Sequence, residues 1–323
     1  MTPRDMQLGL HLESLLFLQE AVAASAALET AARLGVLDRL SAGPASASDL
    51  AHDCGIGERG ARLLLSALAG LGLLDIGADG RYRAAFSGLS LLQTLFPVWA
   101  CLADAIRDDR PPGAADSAGG AERLYPNVVP FLGALFAPAA ERVAERLAAP
   151  GLRVLDVGAG AAPWSLALAA RDPACQVTAV DWPGVLEVTR RAAAAAGYAA
   201  RYSFLGGDFF LLDWGQAAYD LAVAGNICHL FDEAANRRLL ERLFEALRPG
   251  GRVAIIDVLP NEHLDGPRPV VLYALGLLLR TTRGGIYPFS DYVGWLRDAG
   301  YESIERVDVS DAPPASLILA SRP

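Results

Sequence analysis

The sequence contains no lysine. All 28 of its basic residues are arginine, set against 37 Asp and Glu, for a formal net charge of −9. That balance disfavours a nucleic-acid partner, which requires a basic face to displace counterions from phosphates. Cysteine is scarce. Cys54, Cys101, Cys175 and Cys228 are scattered with no C-x-x-C pair, so neither a disulfide framework nor a zinc knuckle is supported, and no metal is expected. Long apolar runs are missing too. The longest, Val270 to Leu279, spans about ten residues between Arg268 and Arg280, which is too short for a bilayer and reads as a buried helix. Met1 to Leu10 lacks the apolar run and small-residue cleavage site of a signal peptide. The expectation is a cytoplasmic chain with no membrane and no nucleic-acid partner. What is present is 323 residues, 53% hydrophobic and 20% charged, enough for two packed domains and unlike a disordered chain.

The pattern changes along the chain. Residues from about 10 to 105 read as helices, and those after about 150 as alternating strands and helices. In the first part, Leu12, Leu15, Leu16, Leu18 and Val22 recur at helical spacing, and a second helix runs from Ala26 to Leu40, ending at Gly43-Pro44. A short helix follows Ser48-Asp49, another covers Glu58 to Leu71, and the Ala78-Asp79-Gly80 turn joins two short extended runs. Helix, short helix, helix, hairpin is the order of a winged helix. DNA recognition is weakly served here: Arg59 and Arg62 are the only basic groups on the third helix, so a packing and dimerisation role outweighs DNA binding. Residues 108–121, rich in Pro, Gly, Ala and Asp, form a linker, and Leu124 to Leu147 returns to helix. The expected division is 1–105, 106–150 and 151–323.

The second part specifies a doubly wound α/β sheet. Strands are expected at 152–158, 175–181, 202–208, 219–225 and 251–260, with helices between them and a closing antiparallel hairpin at 303–309 and 316–321. Ligands of such sheets bind beyond the carboxyl ends of the strands. The first strand ends in Asp156-Val157-Gly158-Ala159-Gly160, whose glycines allow a ligand to approach bare backbone. The second ends in Asp181, spaced to accept both hydroxyls of a ribose. A dinucleotide fits poorly, because Pro163 stands where the third glycine of G-x-G-x-x-G belongs and Asp156 would repel a pyrophosphate. A cationic, adenosine-containing ligand fits better, and S-adenosylmethionine carries both a sulfonium and an ammonium.

The strings VLDVGAG (154–160), AVDWPGVLE (179–187), GGDFF (206–210), NICHLFDE (226–233), LRPGGRVAIIDVLP (247–260) and GGIYPFSDYVGWLRDAGY (285–301) occur in a characteristic order. On them the chain resembles the class I S-adenosylmethionine-dependent methyltransferases, and in particular the small-molecule O-methyltransferases with an N-terminal winged-helix dimerisation domain. The resemblance covers nearly the whole chain. It implies a Rossmann-like seven-stranded sheet with an antiparallel last strand, a homodimer formed through the N-terminal helices, and methyl transfer to a hydroxyl of a small, aromatic specialised metabolite. Gly158 and Gly160 would pass under the methionine moiety, Asp181 would hold the ribose, and Trp182 would pack on the adenine. Asp208 would accept from the adenine amino group, Phe209 would lie against the ring, and Asn226 would border the methyl donor. His229 falls in the general-base column. One departure stands out: the glutamate that orients this base in plant members, in a G-G-x-E string, is absent, since Gly284-Gly285 leads to Ile286-Tyr287. The alternatives are transfer to carbon or nitrogen, or a non-methylating isomerase, hydroxylase or cyclase on the same fold. The acceptor pocket is expected beside the helices of residues 92–147 and 264–290, with Trp99, Tyr125, Phe131, Phe136, Tyr273 and Tyr287 as candidate walls.

Overall fold

In a computed structural model, residues 3–85 and 98–323 are described, and the chain divides into two units, Met1–Ala100 and Cys101–Pro323.

The first unit opens with one long helix, α1 (Pro3–Arg33), where the sequence suggested two. Nothing between Val22 and Ala26 breaks a helix, and the alanine-rich stretch there propagates it. The break comes at Gly35, whose φ of 73° turns the chain into α2 (Val36–Ser41). A capping box starts α3 (Ala47–Asp53): Ser46 Oγ accepts from the Asp49 amide at 3.1 Å, and the Asp49 carboxyl accepts from the Ser46 amide at 3.0 Å. Helix α4 (Glu58–Gly70) and the hairpin β1 (Leu74–Ile76) and β2 (Tyr82–Ala84) complete the expected winged-helix order. Leu28, Leu37, Leu50, Leu65, Leu68 and Tyr82 form a core of their own. By contrast, Glu13–Arg33 of α1 is long and apolar enough to span a bilayer by length and composition, and little of it is buried.

The second unit holds a seven-stranded sheet in the order β5-β4-β3-β6-β7-β9-β8. Its strands are β3 (Arg153–Val157), β4 (Gln176–Asp181), β5 (Tyr202–Gly206), β6 (Tyr219–Gly225), β7 (Leu247–Asp257), β8 (Glu302–Asp311) and β9 (Pro314–Ser321). The first five are parallel, and β9 runs antiparallel to both β7 and β8. The near-continuous apolar runs of β3 and β6 are what a strand covered on both faces requires, and every residue of β6 is buried. The helices of this unit are α5 (Leu102–Asp108), α6 (Ala118–Leu147), α7 (Pro163–Arg171), α8 (Pro183–Ala195), α9 (Glu233–Ala246), α10 (Arg268–Leu278) and α11 (Phe289–Asp298); α5 and α10 pack on each other and the rest pack against the sheet. Helix α6 carries Pro126, Pro130 and Pro138 in its interior and still packs Phe136, Ala140, Val143 and Leu147 into the core shared with α7. Helix α10 is the expected apolar one, but it is only partly buried: Val270, Gly276 and Leu277 point inward while Leu272 and Leu275 are exposed. Winding reverses between β3 and β6, which leaves a crevice at their carboxyl ends.

Candidate active site

That crevice is a cavity of about 990 Å³, counting the space open to solvent. Gly158, Gly160, Asp181, Trp182, Asp208, Phe209 and Asn226 all line it. The turn after β3 folds onto β4, with the Gly158 and Ala159 amides donating to the Val180 carbonyl at 2.8 and 3.2 Å. Gly158 adopts φ 70°, and a Cβ there would lie 2.7 Å from Ile227 Cδ1, so both backbone and space call for glycine. The Gly160 amide donates to Asp181 Oδ2 at 2.9 Å and the Trp182 amide to Oδ1 at 2.7 Å. Asp181 thereby clamps the turn. Burial pushes its carboxyl up to about 6, against the pull of those two amides. Asp208 accepts from the Phe210 amide at 2.8 Å, and the rings of Phe209 and Phe210 meet at 4.6 Å. Asn226 sits at φ 57° with its amide on the Ile256 carbonyl at 2.7 Å, a left-handed conformation that asparagine tolerates.

The charge of this cavity is one-sided. Asp116, Asp181 and Asp208 line it, and among the described residues that line it there is no arginine or histidine. In a site partly shielded from water such an arrangement favours a cationic ligand.

Asp156 differs from its expected place in the turn. It lies within β3, is buried, and is not among the lining residues. Ser165 Oγ of α7 donates to its Oδ2 at 2.5 Å, and Tyr202 donates to Ser165 at 3.1 Å. Desolvation pushes the Asp156 carboxyl up to about 7, opposed by the Ser165 hydroxyl. This group braces the base of the turn from behind.

His229 is also buried and off the cavity wall, in the short turn Cys228–Leu230. Its Nδ1 lies 2.6 Å from Asp257 Oδ1, and its amide donates to Asp257 Oδ2 at 3.1 Å. The Val258 amide also donates to Oδ1, at 2.8 Å. A carboxylate on Nδ1 fixes the tautomer: Nδ1 carries the proton and Nε2 is left basic. Nε2 faces the Tyr273 hydroxyl at 2.9 Å. The turn itself is pinned by Asn236 Nδ2 on the Cys228 carbonyl (2.9 Å), the Gly285 amide on the His229 carbonyl (3.0 Å) and the Tyr287 hydroxyl on the Phe231 carbonyl (2.7 Å). Asp257 was not singled out from the sequence. Its signal was available, because it ends β7 as Asp181 ends β4, an acid closing an apolar strand. Its carboxyl holds the Nδ1 side of His229, for which the G-G-x-E position offers no acid in this chain.

Of the candidate acceptor walls, Tyr125 and Phe136 line the cavity. Phe131, Tyr273 and Tyr287 do not; Tyr287 packs on Trp295 with ring centroids 4.9 Å apart. Trp99 belongs to the first unit and is exposed, and residues 92–97 lie outside the described residues. Asp116, also missed, accepts from the Thr282 amide at 2.7 Å and its hydroxyl at 2.5 Å, joining the 109–117 segment to the loop after α10. Among the described residues no group of three or more His, Cys, Asp and Glu is placed to hold a metal ion.

An O-methyltransferase domain model matches residues 140–302, and an O-methyltransferase dimerisation domain model matches residues 16–93. The chain belongs to the O-methyltransferase family. Among its relatives, the 3-hydroxy-5-methyl-1-naphthoate 3-O-methyltransferase of Streptomyces sahachiroi is 30% identical over 92% of this chain and 90% of its own. The tetracenomycin polyketide synthesis 8-O-methyl transferase of Streptomyces glaucescens is 28% identical over 93% of each. The crystal structure of human N-acetylserotonin methyltransferase in complex with SAM shares the fold, with a TM-score of 0.76 over 97% of each chain at 24% identity. The family assignment agrees with the fold read from the sequence: a helical dimerisation module followed by the doubly wound sheet with its antiparallel end.

Proposed function

We propose that this O-methyltransferase moves a methyl group from S-adenosylmethionine to a hydroxyl of a small aromatic metabolite, and that it works as a homodimer assembled through its N-terminal helices. The observation that carries the reading is the buried His229–Asp257 pair next to a cavity whose charged lining is acidic throughout. Three aspartates suit a ligand bearing a sulfonium and an ammonium, and the bare backbone at Gly158 and Gly160 admits its close approach. Asp181 is the group to hold the ribose hydroxyls, Asp208 with Phe209 and Trp182 the adenine, and Asn226 the side that faces the acceptor. Asp156 supports these from beneath. In the same reading residues 1–105 serve dimerisation, 106–150 connect, and 151–323 bind the donor.

When bound, S-adenosylmethionine supplies a methyl group already activated by its sulfonium. The chain's own work is alignment and proton removal. His229 Nε2 takes the proton of the acceptor hydroxyl, while Asp257 holds Nδ1–H and offsets the charge that the ring acquires. The similarity to enzymes named for a hydroxynaphthoate and for tetracenomycin polyketide synthesis makes hydroxynaphthoates the first acceptors to try.

The test is an assay with methyl-labelled donor and a hydroxynaphthoate, reading S-adenosylhomocysteine and the methylated product. An aryl methyl ether is expected. His229→Ala should lower turnover by about 10²–10⁴-fold while S-adenosylhomocysteine still binds. Label on carbon or nitrogen would move the assignment to the other nucleophiles, and unchanged turnover in the variant would remove His229 as the base.

A further inference from the structure

His229 has one nitrogen free for chemistry, and a phenol of the same chain already holds it. Since Nδ1–H donates to Asp257, Nε2 is an acceptor, and the Tyr273 hydroxyl donates to it at 2.9 Å. The two rings cross edge to face, 86° apart with centroids at 5.3 Å. Burial pushes the Tyr273 hydroxyl up to about 12, so it stays a neutral donor near neutral pH. Arg280 lies against the same residue, its guanidinium carbon 5.1 Å from the ring centroid, and its charge and N–H groups act the opposite way, favouring the ionised oxygen. The Tyr273 phenol therefore has a base at its oxygen and a cation over its ring.

Its position relative to the cavity gives this arrangement its meaning. Neither His229 nor Tyr273 lines the cavity, but Ile227 and Leu230, on either side of His229 in the same turn, both do. A hydroxyl entering from the cavity cannot bond Nε2 while Tyr273 does, because that nitrogen has a single lone pair. The helix that carries Tyr273 lies at the surface of its unit: α10 buries Val270, Gly276 and Leu277, whereas Leu272 and Leu275 face outward.

We propose that Tyr273 occupies the seat of the acceptor's oxygen, and that a hydroxyarene binds by displacing this phenol from His229. The proposal rests on the methyl-transfer reading above. It makes Tyr273 and Arg280 determinants of specificity. A seat shaped by one phenol selects another planar aromatic hydroxyl, and an aliphatic alcohol cannot reproduce either the ring or the acidity. Once seated, the acceptor loses its O–H proton to His229 Nε2, the electron pair stays on its oxygen, and Arg280 faces the developing charge.

Tyr273→Phe keeps the ring and deletes the hydroxyl. With S-adenosylhomocysteine present, 2-naphthol titrated calorimetrically should bind the variant about tenfold more tightly than the unaltered protein, because one hydrogen bond no longer has to be broken. In the unaltered protein labelled at the tyrosine Cζ, the Tyr273 signal (assigned by its loss in the variant) should shift as 2-naphthol is added. If Tyr273 is instead a fixed relay between acceptor and base, its signal stays put and the variant shows no gain in affinity. Equal binding, weaker binding, or binding by neither protein overturns the proposal. S-adenosylhomocysteine affinity, measured in the same samples, should be the same in both and reports that the fold is intact. Its absence from both would sink the methyl-donor reading, and this proposal with it.

Discussion

Asp181 illustrates how one side chain can serve both fold and ligand. Its two oxygens accept the Gly160 and Trp182 amides, which holds the glycine turn in place, and burial still leaves its carboxyl near 6. In the proposed donor site the ribose hydroxyls would bind the ionised carboxyl, so below pH 6 a proton would have to leave before the donor binds. The sign follows: affinity for S-adenosylhomocysteine should rise with pH and level off above 6. Between pH 7 and pH 5 a loss of about tenfold is expected, since one pH unit below the pKa corresponds to a factor of ten. Asp181→Asn should bind more weakly and show a flatter profile over the same range, as measured by calorimetry. An identical slope in the variant would assign the titration to the neighbouring Asp156, whose carboxyl is pushed up to about 7. At this scale the sequence was informative at strand ends, where Asp181 closes β4 and Asp208 follows the Gly206-Gly207 pair after β5. It was silent on pairs such as His229–Asp257 and His229–Tyr273, separated by 28 and 44 residues. Nothing local fixes those contacts; the parallel sheet and α10 bring them together.

At the scale of elements, the alternation of apolar strands and helices placed every strand of the large sheet within a few residues, because strands covered on both faces are written as continuous apolar runs. The less legible parts were the helix ends in the first unit. Alanine-rich sequence has no internal period to mark a boundary, and α1 runs on until Gly35 stops it. Helix-on-sheet spacing is set by a contact of the same hidden kind. A Cβ at Gly225 of β6 would lie 2.2 Å from Trp164 Nε1 of α7, so the indole rests directly on strand backbone. Trp164 is itself buried and has nowhere to retreat. Gly225→Ala should therefore push α7 away from β6 and cost roughly 1–3 kcal/mol of stability by overpacking, read from the midpoint of urea unfolding. Because Gly225 and Trp164 both line the cavity, S-adenosylhomocysteine affinity should fall as well. A variant of unchanged stability would mean that this helix–sheet contact yields readily.

For the whole molecule, the net charge of −9 and the apolar first helix describe two different surfaces. The acidic balance has a local counterpart in the three aspartates of the cavity. Among the described residues of its own unit the apolar helix has no counterpart: Leu15, Leu16, Leu18 and Val22 are 51–69% exposed. A helix carrying such a stripe exposed to water is poorly stable by itself, since most helical stability comes from packing an apolar face. The match to an O-methyltransferase dimerisation domain over residues 16–93 begins within this stripe and supports a second copy as the surface that covers it. Leu15, Leu18 and Val22 follow one another at spacings of three and four, on one side of α1. Two charges placed there would have to be buried without partners in any dimer that uses this side. Leu18→Asp combined with Val22→Asp is accordingly expected to shift the mass in solution from twice 34.0 kDa to 34.0 kDa, measured by light scattering at micromolar concentration. The separate core of the second unit contains neither residue, so S-adenosylhomocysteine binding provides the control for an intact donor site. A double variant that remains dimeric would place the subunit contact elsewhere, and the stripe would then need a different cover, of which a lipid surface is the one its length and composition allow.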